Sequence, residues 1–543
     1  MANRSNKHII RPLLAIMTAV FIFTSLTAAQ QQAKPQVPQK PVPIYGDAII
    51  IGALHEPDIL VPILAPEGTS QDIVGLLFNG VTKFDKDLNV IPDLAQKWEI
   101  SDDGLTITFY LRQNVRWHDG KLFTADDVKF TYEKLIDPDI KTLYSGAFGK
   151  IAELKTPDRF TVQVVYKEPF SPGLADWAVK IMPKHILENQ DLNAAEFSKN
   201  PVGTGPYKFK SWKPGERIDL EFNPDYFEGR PSIDRVVYKI MPDQAAMLTE
   251  LKSQTIDMMQ LTPGQYKQET DDDAFKTSFN KFRYPSLRYT FIAYNLQDPR
   301  FKERSIRRAV NSALDQNAIV RDVLMGCGRV CTAPFPPDGW AYNKEIAPMK
   351  CDKRWAKMLL EQAGWRDTDK DGLINKNGKP FEFTLLFNEG IEEHKAVADI
   401  FQKKLSELGI RVNIKALSAS DLQEKVLNKK EFEAAILERS FPKDPEGYAD
   451  GLGFITYKSE MIKNLLEKAR RSFDQESRAS FYKEIHRIID AEQPRLFLYT
   501  PDQLRAVHKR FRGPRPGLNG MLYNITDWRA PKAEQKYLKQ PAQ

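Results

Sequence analysis

Between Tyr45 and Trp528 short β-branched or aromatic runs alternate with stretches of helical period, and no polar linker or fixed-period repeat interrupts them. A chain with that pattern packs as α/β layers, and its 543 residues exceed what one hydrophobic core can serve. Two or more lobes that share chain segments are therefore expected. Residues 47–54 form a β-branched run; 105–111 alternate Leu, Ile and Phe with Thr and Tyr, and 160–165 repeat that alternation, so all three read as strands. Thr124 precedes Ala125, Asp126 and Asp127, an N-cap followed by acidic residues that oppose the helix dipole, and Val128, Tyr132 and Leu135 then share one face. In the second half, 289–294, 381–387, 411–415 and 496–499 read as strands. Residues 305–315, 394–408, 459–472 and 475–492 read as helices, with Gly409 placed for a left-handed cap and Pro494 as a stop.

The N-terminus carries a compartment signal. Arg4, Lys7 and Arg11 precede an apolar stretch over 13–26, and Thr27, Ala28 and Ala29 supply small residues before Gln30, the pattern of a cleaved secretory signal peptide over residues 1–29. The uninterrupted apolar core is shorter than the ~20 residues needed to span a bilayer. Residues 30–43, rich in Gln, Pro and Lys, have little to bury and read as a disordered leader. With 78 basic against 72 acidic residues the excess is small, and no basic run is interleaved with aromatics, so no nucleic-acid partner is expected. Cys327, Cys331 and Cys351 lack the spacing and histidines of a zinc site; one local disulfide is the expectation, its pairing open, with three buried thiols as the alternative.

Motifs that carry chemistry are missing. The sequence has no nucleophile elbow, phosphate-binding loop, dinucleotide fingerprint or His-Glu-x-x-His helix. His55 and Glu56 are followed by Pro57, which breaks any metal-binding helix there. Asp367, Asp369, Asp371 and Gly372 resemble the front of a calcium loop, but the twelfth position is Gly378, so a solvated acidic turn is the expectation and no metal is assigned.

Residues 95–130 read AQKWEISDDGLTITFYLRQNVRWHDGKLFTADDVKF, residues 201–230 read PVGTGPYKFKSWKPGERIDLEFNPDYFEGR, and Tyr294-Asn295-Leu296 precedes RRAVNSALDQNAIV at 307–320. In order and spacing these segments, with 335–343, resemble the family 5 extracellular solute-binding proteins of ATP-driven importers, which include oligopeptide-, dipeptide- and nickel-binding members. The resemblance implies a bilobal α/β periplasmic binding protein fold of type II, cluster C-like, with an extra subdomain on the first lobe. By it, lobe I spans 44–289 with the subdomain at about 90–200, lobe II spans 290–504, and 505–530 return to lobe I before a polar tail at 531–543.

The same resemblance frames the site. Dipeptide-binding relatives hold the ligand's α-amino group with an Asp shortly before an Asp-Pro pair; here Asp444-Pro445 is present, but the matching upstream position is Phe441. They pair the ligand carboxylate with an Arg in the loop after the strand that matches 381–387, where this chain has Asn388, Glu389, Gly390, Ile391, Glu392 and Glu393. With both anchors missing, and Arg439 and Phe441 placed opposite an acidic loop, the implied ligand is cationic, aromatic or longer than a dipeptide. A solvated helix N-terminus is the alternative for the glutamates. Arg288 and Tyr289 on a crossing strand, and Glu56 and Asp58 after the first strand, complete the candidates, each of which can equally be structural.

The function implied is that of a periplasmic, monomeric substrate-binding component of an importer. It would pass a peptide-like solute to inner-membrane permease subunits, with no catalytic residues and no cofactor. The alternatives are a binder of a non-peptide solute, cationic or aromatic, a binder that serves signalling, and a secreted hydrolase, which needs a nucleophile–base pair that the sequence does not display.

Overall fold

The computed structural model describes residues 44–66, 68–194, 196–448 and 457–537. The expected signal peptide and leader lie outside them. One strand organises everything else. Arg495–His508 begins with residues buried on both faces and ends in alternation, Gln503 and Arg505 against Leu504 and Ala506. Its first part pairs antiparallel with Arg288–Tyr294 and with Gly328–Val330, its second with Phe279–Pro285 and Met258–Gln260. The hand-over falls between Pro501, opposite Gly328, and Asp502, opposite Pro285. Phe279–Pro285 and Arg288–Tyr294 are separated only by Ser286 and Leu287, so two antiparallel segments cross together from one half of the molecule to the other.

On one side of the crossing the strands run in the order Met258–Gln260, Ala48–Ala53, Arg235–Ile240, Arg217–Phe222 and Tyr207–Lys213. On the other they run Arg288–Tyr294, Ala434–Ser440, Glu382–Asn388 and Arg411–Leu417. Each side has its own core. Ile49, Ile51, Leu60, Ile73, Leu77 and Tyr238 belong to one, Ile292, Ile306, Phe383, Val397, Phe401 and Leu498 to another, which makes two lobes. Asp502 pins the crossing: its buried carboxylate accepts from Arg283 Nε at 2.5 Å and from Arg329 Nη2 at 3.1 Å, one guanidinium from each side.

A separate antiparallel sheet, in the order Ala95–Ile100, Thr106–Leu111, Thr161–Tyr166 and Ile151–Asp158, packs with the helix Ala125–Leu135. The Asp127 carboxylate accepts from the Thr124 and Lys184 amides and the Trp117 indole, so the capped start of this helix is also a tertiary joint. His118 joins two of the motif segments. Its Nδ1 accepts from the Gly203 amide and its Nε2 donates to the Gly205 carbonyl, both at 3.1 Å, while burial pushes its pKa down to about 4 and keeps it neutral. Gly203 and Gly205 are required there because a Cβ would lie 1.8 Å from the Leu77 carbonyl oxygen or 2.3 Å from that of Leu76, at the end of the helix Thr69–Leu77.

Three sequence expectations need correction. The helix expected over 305–315 ends at Asn311, and Asp315 instead caps the next helix, Gln316–Val323, by accepting from the Ala318 amide at 3.0 Å. The strand expected over 496–499 is the first third of Arg495–His508; Pro501 obscured the continuation. No disulfide forms: Cys327, Cys331 and Cys351 are all free thiols. Cys327 packs with Met247, Phe279 and Leu504, Cys331 with Tyr289 and Phe335 in a different core, and Cys351 lies exposed beside Ala313, so proximity in sequence does not bring sulfurs together.

Where the chain returns to the first lobe, Arg510 is 2% exposed and lies between two buried carboxylates. It pairs with Asp47, donates to Asp257 Oδ2 at 2.6 Å and to the Ala48 carbonyl at 2.9 Å, and Asp257 also accepts from the Ile50 amide at 3.0 Å. The knot fastens the first strand, the strand Met258–Gln260 and the end of the crossing strand. The amides of Lys536 and Tyr537 donate to Asp47 as well, so residues 535–537 are docked. Arg510→Met would strand two carboxylates away from water. The expected cost is about 3–5 kcal/mol, read as a lower midpoint in urea-induced unfolding.

Candidate functional site

Ligands in open α/β sheets sit beyond the carboxyl ends of the parallel strands. Glu382–Asn388, Arg411–Leu417 and Ala434–Ser440 run parallel and finish at one edge, with Asn388 opposite Leu417. Arg288–Tyr294 runs the other way and starts there, with Arg288 opposite Ser440 and Tyr289 opposite Arg439. Four of the expected residues thus meet at the crossing, and Asn388 and Glu389 stand at the same edge two strands away.

Their environments differ. Arg288 Nη1 donates to Glu438 Oε1 at 3.1 Å on the exposed surface. Tyr289 is buried, its ring stacked on Phe441 at 4.6 Å and on Phe291 at 5.3 Å. Burial raises its hydroxyl pKa, an effect that neighbouring Arg495 opposes. The buried Arg495 guanidinium lies over Phe291 at 4.7 Å and Phe497 at 5.6 Å. Phe441, at the position where dipeptide binders carry an acid, is 2% exposed and part of this aromatic floor. Arg439 is exposed beside it.

Asn388 Oδ1 accepts from the Gly390 amide at 2.9 Å, and the exposed Glu389 donates its amide to Leu417. The helix Glu392–Ser406 then starts with Glu392 and Glu393 in its first turn. Behind it His394 is 2% exposed with neither ring nitrogen hydrogen-bonded among the described residues, and burial pushes its pKa down to about 4.

The remaining candidates lie elsewhere. Glu56 accepts from Trp212 Nε1 at 3.1 Å and from the Gly215 amide, so it holds the hairpin joining Tyr207–Lys213 to Arg217–Phe222. Asp58 is exposed, and its amide donates to Ser70 Oγ at 3.0 Å. Asp444 forms a two-pronged pair with Arg478, at 2.8 and 2.9 Å.

Residues around Asp444 show that the lobes touch. Ser171 donates from Oγ to the Ala469 carbonyl at 3.1 Å and from its amide to the Arg470 carbonyl at 2.7 Å, capping the helix Glu460–Arg470. Arg471 pairs with Glu168 at 3.4 Å, and Lys443 Nζ donates to Asn519 Oδ1 at 2.8 Å. Asp176, on the first-lobe side, faces Asp444 and Glu446. Burial, reinforced by the Asp444 charge, pushes its pKa up to about 7. Sequence reasoning stopped at the Asp-Pro pair and passed over Lys443, Glu446 and Asp176, which acquire meaning only when the two lobes face each other.

The carboxylates of Asp367, Asp369 and Asp371 have oxygens within 4.8 Å of one another and are all exposed, in the turn after the helix Lys353–Gln362. Two of them are engaged by the loop's own backbone: Asp367 accepts from Gly372 and Asp371 from Leu373. Among the described residues no helix is long and apolar enough to cross a membrane.

Comparison with known proteins gives the fold its relatives. The oligopeptide-binding protein AppA of Bacillus subtilis is 32% identical over 537 residues, covering 95% of this chain and 98% of its own. The solved structure of that AppA in complex with a nonapeptide has a TM-score of 0.76 at 31% identity and covers 90% of this chain. DppA from Helicobacter pylori in complex with the peptide STSA has a TM-score of 0.75 at 25% identity, covering 90% of this chain and 99% of its own. NikZ from Campylobacter jejuni in complex with Ni(L-His) has a TM-score of 0.77 at 27% identity, covering 89% and 99%. The bilobal α/β fold is that of these binding proteins. Residues 89–456 match the bacterial extracellular solute-binding proteins, family 5, and the chain belongs to that family.

Proposed function

We propose that the chain captures a peptide or peptide-like solute between its two lobes and delivers it to the permease of an ATP-driven importer. The observation that carries the peptide reading is likeness over nearly the whole length to AppA, whose structure holds a nonapeptide. The site supports a ligand longer than a dipeptide: position 441 is a phenylalanine stacked under Tyr289, and the nearby Asp444 carboxylate is occupied by Arg478. On this reading Arg288, at the end of the first lobe's segment, and Arg439, Asn388 and Glu389 from the second lobe line the cleft.

Lobe I then comprises residues 44–289 with 505–530, lobe II residues 290–504, and the sheet at 95–166 lies in the extra subdomain. A cleaved signal peptide over 1–29 sends the mature chain to the periplasm, where it acts as a monomer. The reading assigns it no bond-making step and no cofactor. Closure is a hinge motion at the crossing strands, and the closed form is the one presented to the permease.

Titration calorimetry of the purified mature chain against a panel of free-acid nonapeptides and dipeptides tests the reading. Nonapeptides bind and dipeptides do not; a panel without any binder overturns it. Closure also has a pH signature. Asp176 takes up a proton when the lobes shut, because its pKa in the closed form is pushed to about 7 beside Asp444, Glu446, Lys150 and Arg478. The closed form is therefore favoured at low pH and loses ground as pH rises from the ordinary carboxylate range to about 7, with no further loss above. Peptide affinity of the wild type should fall by about 100-fold between pH 5 and pH 8, and Asp176→Asn should remove that fall.

A further inference from the structure

Lys443 and Lys180 stand near each other where the two lobes touch, and Lys443 feels the charge of Lys180. Lys443 precedes the Asp444-Pro445 pair in the second lobe. Its ammonium donates to Asn519 Oδ1 at 2.8 Å and lies 5.2 Å from the centre of the Phe84 ring. Asn519 is itself fixed, donating to the Phe84 carbonyl at 2.8 Å, so its oxygen is presented to Lys443 by design of the first lobe. Among the described residues no carboxylate lies within ion-pair distance of the Lys443 or the Lys180 ammonium.

The charges around them do not balance. Lys180 is bridged to Gly80 through the backbone and sees the charges of Asp93 and Lys83. Asp93 is already saturated: it accepts from Asn79 at 2.9 and 3.1 Å and from the Gly80 amide at 3.2 Å, with Lys83 at 3.6 Å. Lys83 turns its ammonium to Glu228 at 2.6 Å. Three ammoniums (Lys83, Lys180 and Lys443) thus stand against two carboxylates (Asp93 and Glu228), one positive charge in excess. Lys443 keeps open surface yet stands deep among protein atoms. Burial and the like charge of Lys180 push its pKa down to about 8, the mark of an ammonium without its counter-ion.

We propose that Lys443 and Lys180, one from each lobe, form an anion subsite of the cleft that takes a carboxylate of the bound peptide as the lobes close. This rests on the peptide reading and sharpens it. Where dipeptide binders place an acid for the ligand's ammonium, this chain has Phe441 and, two residues on, a cation. The carboxylate supplies the missing negative charge and links the lobes electrostatically. Its source is the C-terminus or an acidic side chain.

The test uses three versions of one nonapeptide with otherwise neutral side chains: free acid, C-terminal amide, and amide with one Glu. Calorimetry with the wild type should show the free acid about 10- to 100-fold tighter than the plain amide. If the Glu version recovers affinity, a side-chain carboxylate also serves; if not, the C-terminus is the source. Lys443→Met and Lys180→Met should each collapse the preference, and Lys443→Glu should invert it. Lys403→Met, on an exposed helix face, should leave it intact, and far-UV circular dichroism confirms that each variant is folded. Equal binding of all three versions by the wild type, or an undiminished preference in Lys443→Met, overturns the subsite and leaves the peptide reading standing. If no version binds, both fall.

Discussion

The structure depends on one shared strand. Arg495–His508 contributes hydrogen bonds to four other strands, two on each side of the molecule, and without it neither half of the sheet is complete. Because it runs antiparallel beside the pair Phe279–Pro285 and Arg288–Tyr294, the lobes are joined by only two adjacent chain crossings. Two adjacent antiparallel segments make a narrow joint, the place at which the proposed opening and closing would bend. Asp502 holds an arginine from each side at that joint.

Scaffold and site are divided along the chain in a way that explains the strongest sequence signals. The segments around Trp117-His118 and Gly203-Thr204-Gly205, which carry the family resemblance, are bonded to each other and not to the cleft. Their residue types are fixed by backbone proximity and by the buried imidazole, requirements independent of what is bound. The residues proposed to line the cleft come from strand ends and loops: Arg288, Asn388, Arg439, Lys443.

This division also decides how much could be read in advance. The alternation of helix and strand, the capped helix at Thr124 and the crossing strand at Tyr289 were legible because periodicity and capping are local. The sequence named Arg288, Tyr289, Arg439 and Phe441 only as separate candidates by resemblance; what brings them together is the pairing of Arg288–Tyr294 with Ala434–Ser440, a strand that was not read in advance. Glu56 could not be read, because its partners Trp212 and Gly215 are more than 150 residues away and its carboxylate is spent on a hairpin. The cysteines misled for a related reason: nearness in sequence suggested a bridge, yet Cys327 and Cys331 enter different cores. Lys443 was hidden beside the Asp-Pro pair, since a lysine in a loop looks solvated until the opposite lobe supplies Phe84, Lys180 and Asn519.

The position of the shared strand has a consequence for how the molecule comes into being. Residues 495–508 follow every strand they pair with, so a chain made from its N-terminus holds two unfinished sheets, each with an open edge, until this strand is present. Pairings such as Ala48–Ala53 with Met258–Gln260, and that strand with Arg495–His508, span hundreds of residues, which makes the search slow. The lobes therefore mature together and late, as one cooperative unit. Loss of residues 495–508 would thus cost both lobes, not one.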